Sequence, residues 1–178
     1  MSLIIYNDGI VYADRSGVDF VRESVMVSEL KKCYIPKNRM YGIASVGAEI
    51  DFQSKAFQYF NRRLLKVLRA MEIVKGDEGK IELYNEIRNN SFIVMTAESV
   101  YSIDRTEETT DVVSTIKRMP NNMPIILGSG IMVGEALMAC GYDIPTIYEM
   151  AARHCISMHP TEIDHIFREE LEPLVGKA

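Results

Sequence analysis

The strongest constraint on the fold is a change in hydrophobic periodicity at Gly47. Before this residue, short β-rich runs alternate with turns, and the Asn-Asp-Gly turn at residues 7–9 is typical of a β-hairpin. After it, apolar residues recur every three or four positions over residues 52–71, which predicts a helix of about six turns. The chain therefore forms strands first and then covers them with a long amphipathic helix.

The rest of the sequence repeats this order of strands and helices. We predict a helix over residues 81–87, strands over 91–95, 99–103, 124–127 and 162–167, and helices over 131–140 and after Pro145. Residues 106–122 are polar and show no clear pattern. Because no change in composition marks a linker, we predict one α+β domain over residues 1–178, with sheets stacked between helical layers.

Composition restricts the class of function. Of the 178 residues, 47% are hydrophobic and 25% are charged, which is typical of a globular protein. Lys and Arg total 20 against 25 for Asp and Glu, and this acidic balance argues against nucleic acid or an anionic membrane as partner. No apolar stretch approaches the roughly 18 residues of a membrane span. The three cysteines lack paired spacing, which favours free thiols and a cytoplasmic location.

The Lys31-Lys32 pair lies in a β-rich run. Neighbouring side chains of a strand point to opposite faces, so one of these lysines is buried if the sheet is covered. A buried lysine needs a partner, and Asp14, at the end of the second predicted strand, is suitable. The alternative is an edge strand with two solvated lysines.

Two other features leave alternatives open. The Gly-Ser-Gly turn around Ser129 can hold a phosphate at a helix N-terminus, present a nucleophile, or simply allow close helix packing. The dinucleotide, Walker and nucleophile-elbow fingerprints are all absent. His154, His159 and His165 lie close together in sequence, but their spacing fits no metal motif, so we predict no metal site.

Four segments in order resemble the β-type subunits of proteasomes, the HslV peptidase and short proteasome-like proteins of bacteria and phages. The segments are residues 2–15, 30–33, 42–49 and 126–130. The resemblance extends over roughly residues 2–51 and 124–165. It implies the four-layer αββα sandwich of N-terminal nucleophile (Ntn) hydrolases, which the order of strands and helices permits.

The resemblance also implies a mechanism. A hydroxyl on the first residue attacks an amide carbonyl, and the α-amine of the same residue, with a pKa of about 7.7–8.0, acts as the base. Ser2 takes the position of this nucleophile once Met1 is removed, because the nitrogen of an internal residue is an amide and not a base. Lys32 supplies positive charge, Asp14 orients Lys32, and Ser129 forms a hydrogen bond near the α-amine.

The resemblance implies two further positions of the site, and each has two candidate residues. The backbone N–H that stabilises the oxyanion belongs to Ser45 or Gly47, and the late position of the site is occupied by His154 or Ser157. The resemblance implies a peptide or unfolded-protein substrate, a homo-oligomeric ring, an ATP-dependent unfoldase as partner and no cofactor. The alternatives are a catalytically inactive, ring-forming subunit and an unrelated serine hydrolase that uses Ser129 with a histidine.

Overall fold

The computed structural model describes residues 3–19, 25–28, 30–83, 85–105, 113–154 and 162–175. The strands are β1 (Ile4–Asn7), β2 (Ile10–Asp14), β3 (Ser16–Asp19), β4 (Val25–Ser28), β5 (Cys33–Tyr34), β6 (Gly42–Val46), β7 (Glu78–Glu82), β8 (Ser91–Met95), β9 (Val100–Ile103), β10 (Val113–Met119), β11 (Ile125–Leu127) and β12 (Ile163–Phe167). The helices are α1 (Lys55–Val74), α2 (Asn85–Arg88), α3 (Ile131–Ala139) and α4 (Ile144–His154).

Two antiparallel sheets form the centre of the molecule. One has the strand order β11-β1-β2-β12 and the other β5-β6-β8-β9-β10-β7, while β3 and β4 form a separate ribbon. A hydrophobic core lies between the two sheets, a second lies between the larger sheet and α1, and a third between the smaller sheet and the pair α3 and α4. This arrangement confirms the predicted α+β fold, a four-layer αββα sandwich.

Strand β1 shows how the sequence produces these layers. Alternate side chains of a strand point to opposite faces, so a strand covered on both faces must be apolar throughout. Ile4 and Tyr6 belong to the core between the sheets, whereas Leu3 and Ile5 belong to the core beneath α3 and α4. The continuous apolar run at the start of the chain therefore places β1 in the interior.

Helix α1 confirms the helix predicted from the apolar periodicity, with its start displaced by three residues. Ser54 caps it, and its Oγ accepts a hydrogen bond from the Phe57 N–H at 3.1 Å. Such a cap satisfies one of the free N–H groups of the first turn. The helix ends at Val74, before Lys75 adopts a left-handed conformation. The buried stripe consists of Phe57, Phe60, Leu64, Leu68, Met71 and Glu72.

The helix predicted over residues 81–87 is wrong in its first part. Residues 78–82 form strand β7, which pairs with β10, and only Asn85–Arg88 are helical. Strand β10 itself lies in the segment whose polar sequence showed no pattern, between β9 and β7. The two strands stabilise each other by pairing, which outweighs the weak local preference of either segment.

Candidate active site

The candidate site begins at the end of β2, where Asp14 and Lys32 meet. The Lys32 ammonium lies 2.7 Å from Oδ2 of Asp14. Both residues are buried, with 8% of Lys32 and 1% of Asp14 exposed, whereas the neighbouring Lys31 is exposed. The expected burial of one lysine of the pair, and its contact with Asp14, are thus present. The lysine pair itself precedes β5 and is not part of a strand.

Burial sets the protonation chemistry of Lys32. Removing an ammonium from water disfavours its charged form, and this lowers the pKa of Lys32, although the charge of Asp14 and its hydrogen bond act to raise it. The ion pair with Asp14 therefore helps to keep the buried ammonium charged.

The same aspartate also holds the start of the described chain. The backbone N–H of Leu3 donates to Oδ1 of Asp14 at 2.7 Å, and the backbone N–H of Asp14 donates to the Leu3 carbonyl at 3.2 Å. Leu3 is fully buried. Its nitrogen is bonded to the carbonyl carbon of Ser2, which itself lies outside the described residues. No sequence signal marks Leu3 for this role, because the contact uses its backbone and not its side chain.

The backbone of Lys32 is hydrogen-bonded to β6 at the predicted oxyanion loop. The Ser45 N–H donates to the Lys32 carbonyl at 2.9 Å, so this amide already has an acceptor. Gly47 follows β6 directly, is exposed, and has a φ of 128°. An added Cβ there would lie 2.4 Å from the carbonyl oxygen of Asn89, so only glycine fits. Of the two alternatives for the oxyanion donor, the Ser45 N–H is therefore already engaged.

Ser129 lies at the exposed turn between β11 and α3. Leu127 pairs with Ile4 in antiparallel register, so the residues that follow Leu127 lie near the N-terminal end of β1. This places the turn at the same end of β1 as the Leu3–Asp14 contact. Ser157 and the side chain of His154, the two alternatives for the late position, lie outside the described residues.

The described part of the chain also bears on metal binding, membrane insertion and thiol reactivity. Within those residues, no group of three or more His, Cys, Asp or Glu side chains is arranged to hold a metal ion. None of the helices there combines the length and the apolarity needed to cross a bilayer. Cys33 and Cys140 are free cysteines, and burial raises the pKa of the Cys33 thiol, which keeps it protonated and unreactive.

Comparison with solved structures identifies proteins of the same fold. HslV from Trypanosoma brucei is 17% identical with a TM-score of 0.51, and the match covers 93% of this chain and 98% of that one. BPH from Thiobacillus denitrificans is 13% identical with a TM-score of 0.53, over 93% and 95%. It has also been solved in complex with epoxomicin.

The Anbu complex from Pseudomonas aeruginosa, described as a helical assembly, is 11% identical with a TM-score of 0.55, over 93% of this chain and 80% of that one. No protein-family model matches the sequence, and no curated protein matches it significantly. At these identities the likeness shows the fold, which this chain shares with HslV, BPH and Anbu over most of its length.

Proposed function

We propose that the chain is an Ntn peptidase or amidase of the proteasome and HslV type, with Ser2 as its nucleophile after removal of Met1. One observation carries the proposal: the carboxylate of Asp14 binds both the Lys32 ammonium and the peptide N–H of Leu3. The residue bonded to that peptide nitrogen is Ser2. One buried carboxylate therefore contacts both the lysine and the residue that follows Ser2.

The proposed reaction assigns a role to each group. The Ser2 hydroxyl attacks the carbonyl carbon of an amide, and its proton passes to the α-amine of the same residue. The developing oxyanion accepts a hydrogen bond from the Gly47 N–H. When the intermediate collapses, the C–N bond breaks and the leaving amine takes the proton from the α-ammonium. Water then hydrolyses the resulting ester, and the Ser2 hydroxyl is restored.

Further residues support this sequence of steps. Lys32 places positive charge next to the hydroxyl and so favours loss of its proton, while Asp14 holds Lys32 in position. Ser129 forms a hydrogen bond near the α-amine. His154 or Ser157 occupies the late position of the site. The proposal needs no cofactor, since the α-amine supplies the base.

The proposal also includes the substrate, the oligomeric state, the partner and the cellular location. Its substrate is a peptide or an unfolded protein, and residues 1–178 act as one domain. The shared fold with HslV and with the Anbu complex supports a homo-oligomer, for which we propose a closed ring served by an ATP-dependent unfoldase. The free thiols of Cys33 and Cys140 support a cytoplasmic location.

A catalytically inactive, ring-forming subunit is the second candidate. Met1 precedes Ser2 in the sequence, and as long as it is attached the nitrogen of Ser2 is an amide without a basic lone pair. Such a subunit would keep the fold and the Asp14–Lys32 pair but would not hydrolyse amides. The state of Met1 therefore separates the two candidates.

Intact-mass measurement with and without epoxomicin tests the proposal, since BPH of the same fold binds this compound. We expect the purified protein to lack Met1 and to gain one epoxomicin per chain. Ser2→Ala should gain none. The matched pair Lys32→Met and Lys31→Met compares a buried with an exposed lysine, and only the first should lose labelling. Retained Met1 together with no adduct on the wild type would favour the inactive subunit.

A further inference from the structure

Tyr148 lies on α4 directly behind the start of β1. It is 2% exposed and belongs to the core between the smaller sheet and the helices α3 and α4. Its hydroxyl donates to the Leu3 carbonyl at 3.2 Å. The peptide groups of Leu3 are thus held on both sides, because its N–H donates to Asp14 at 2.7 Å.

We infer that Tyr148 is a positioning residue of the proposed site: the hydrogen bond from its hydroxyl to the Leu3 carbonyl fixes Leu3, the residue next to the proposed nucleophile, beside Asp14. The inference rests on the proposed function and goes beyond it, because Tyr148 is remote from Leu3 in sequence and belongs to no motif of the resemblance. It makes α4 a part of the active-site support.

The hydroxyl of Tyr148 contributes a hydrogen bond in addition to packing. A buried hydroxyl needs a hydrogen-bond partner, and a phenylalanine would pack against the same apolar neighbours without that requirement. Burial, followed by the charge of Asp14, raises the pKa of Tyr148 well above its ordinary value. The hydroxyl therefore keeps its proton and donates to Leu3 throughout the working pH range of the proposed α-amine base.

Loss of this hydrogen bond should affect the reaction step more than binding. Tyr148 is buried behind the strand, so it does not contact a substrate at the surface. A small displacement of a nucleophile lowers the rate of attack steeply, whereas substrate affinity depends on other contacts. We expect Tyr148→Phe to lower the maximal rate of epoxomicin modification about 3- to 10-fold. The half-saturating epoxomicin concentration should change by less than about twofold.

Tyr41→Phe is the matched control. Tyr41 is also buried, with 1% exposed, but it lies in the core beneath α1, and its hydroxyl has no hydrogen-bond partner within the described residues. Both variants remove one buried hydroxyl, and only one of these hydroxyls contacts Leu3. Rates are expressed per site that finally reacts with epoxomicin, so unfolded protein does not contribute. Tyr41→Phe should modify at the wild-type rate.

Amide hydrogen exchange gives a second readout that does not depend on activity. Tyr148→Phe should accelerate exchange of the Leu3 amide, while Tyr41→Phe should leave it unchanged. Equal rates and equal exchange in the wild type and Tyr148→Phe would overturn the inference but not the proposed function. A wild type that epoxomicin does not modify would overturn both. Should Tyr148→Phe not fold, an unprotected Leu3 amide in the wild type would itself overturn the inference.

Discussion

Replacing Asp14 with asparagine tests the buried ion pair with little other change. Asparagine has nearly the same shape, and its side-chain oxygen can still accept the hydrogen bond that the Leu3 N–H donates to Asp14 at 2.7 Å. The variant therefore removes the negative charge beside Lys32 while the backbone contact is kept. What remains is an ammonium group that is 8% exposed and no longer faces the Asp14 carboxylate.

The size of the effect follows from this burial. Removing one partner of a buried ion pair typically lowers the free energy of unfolding by about 3–5 kcal/mol, because the other charge is left without compensation. The pKa of Lys32 is already lowered by burial, against the opposing effect of Asp14, so loss of Asp14 lowers it further. Between that lowered pKa and the ordinary value of 10.5, the unfolded state binds a proton that the folded state does not. The stability of Asp14→Asn should therefore rise with pH, by at most about 1.4 kcal/mol per pH unit.

Urea unfolding followed by circular dichroism at several pH values measures both effects. Asp164→Asn is the control, since Asp164 forms an ion pair with Arg15 at 2.6 Å in which the side chains are 17% and 38% exposed. A pair of this kind is worth at most about 1 kcal/mol. Adding Lys32→Met to Asp14→Asn also removes the buried Lys32 charge and should recover most of the lost stability.

Two results would refute this reasoning. The first is a loss of stability in Asp14→Asn no larger than that of the Asp164→Asn control. The second is a double variant that is no more stable than Asp14→Asn alone, which would mean that the buried Lys32 charge is not the source of the loss.

Two further predictions concern backbone strain and acid stability. Gly47→Ala should lower both stability and epoxomicin modification, because its Cβ would lie 2.4 Å from a backbone oxygen at a φ of 128°. Gly141→Ala, at a φ of 81° with nothing within 4 Å, isolates the strain and should cost only about 1–3 kcal/mol with modification unchanged; equal losses in the two variants would contradict the steric argument. Burial acts to raise the pKa of Glu72, but hydrogen bonds led by that of Tyr101 lower it overall, so its stabilisation is present above the ordinary pKa of 4.5 and is lost as the pH falls through the folded-state value. Thermal unfolding should therefore depend on acid more steeply in the wild type than in Glu72→Gln, and parallel curves would contradict this assignment.

The strands that could be predicted from the sequence are those whose own residues form a continuous apolar run. The runs at β1 and β11 are apolar without interruption, because both faces of each strand are covered. Strands β7 and β10 were not predictable in this way. Their residues are largely polar and only partly buried, and what makes them strands is their pairing with each other across more than thirty positions.

In the candidate site, too, only some of the contacts could be predicted from the sequence. The contact between Asp14 and Lys32 was predictable, because a buried ammonium needs a carboxylate, although the lysine pair precedes β5 and does not lie in the strand from which its burial was expected. The contacts of Leu3 were not, because one uses its N–H and the other a tyrosine hydroxyl from a distant helix. Backbone partners leave no pattern in a single sequence.

Of the three cores in the described part of the chain, the one beneath α3 and α4 has the fewest buried members. Leu3 and Tyr148 both belong to it. Elements that bury less apolar surface open at a lower free energy than the rest of a protein. On warming, this outer layer should therefore loosen while the paired sheets persist, so the proposed activity would be lost at a temperature where the β-structure is still intact.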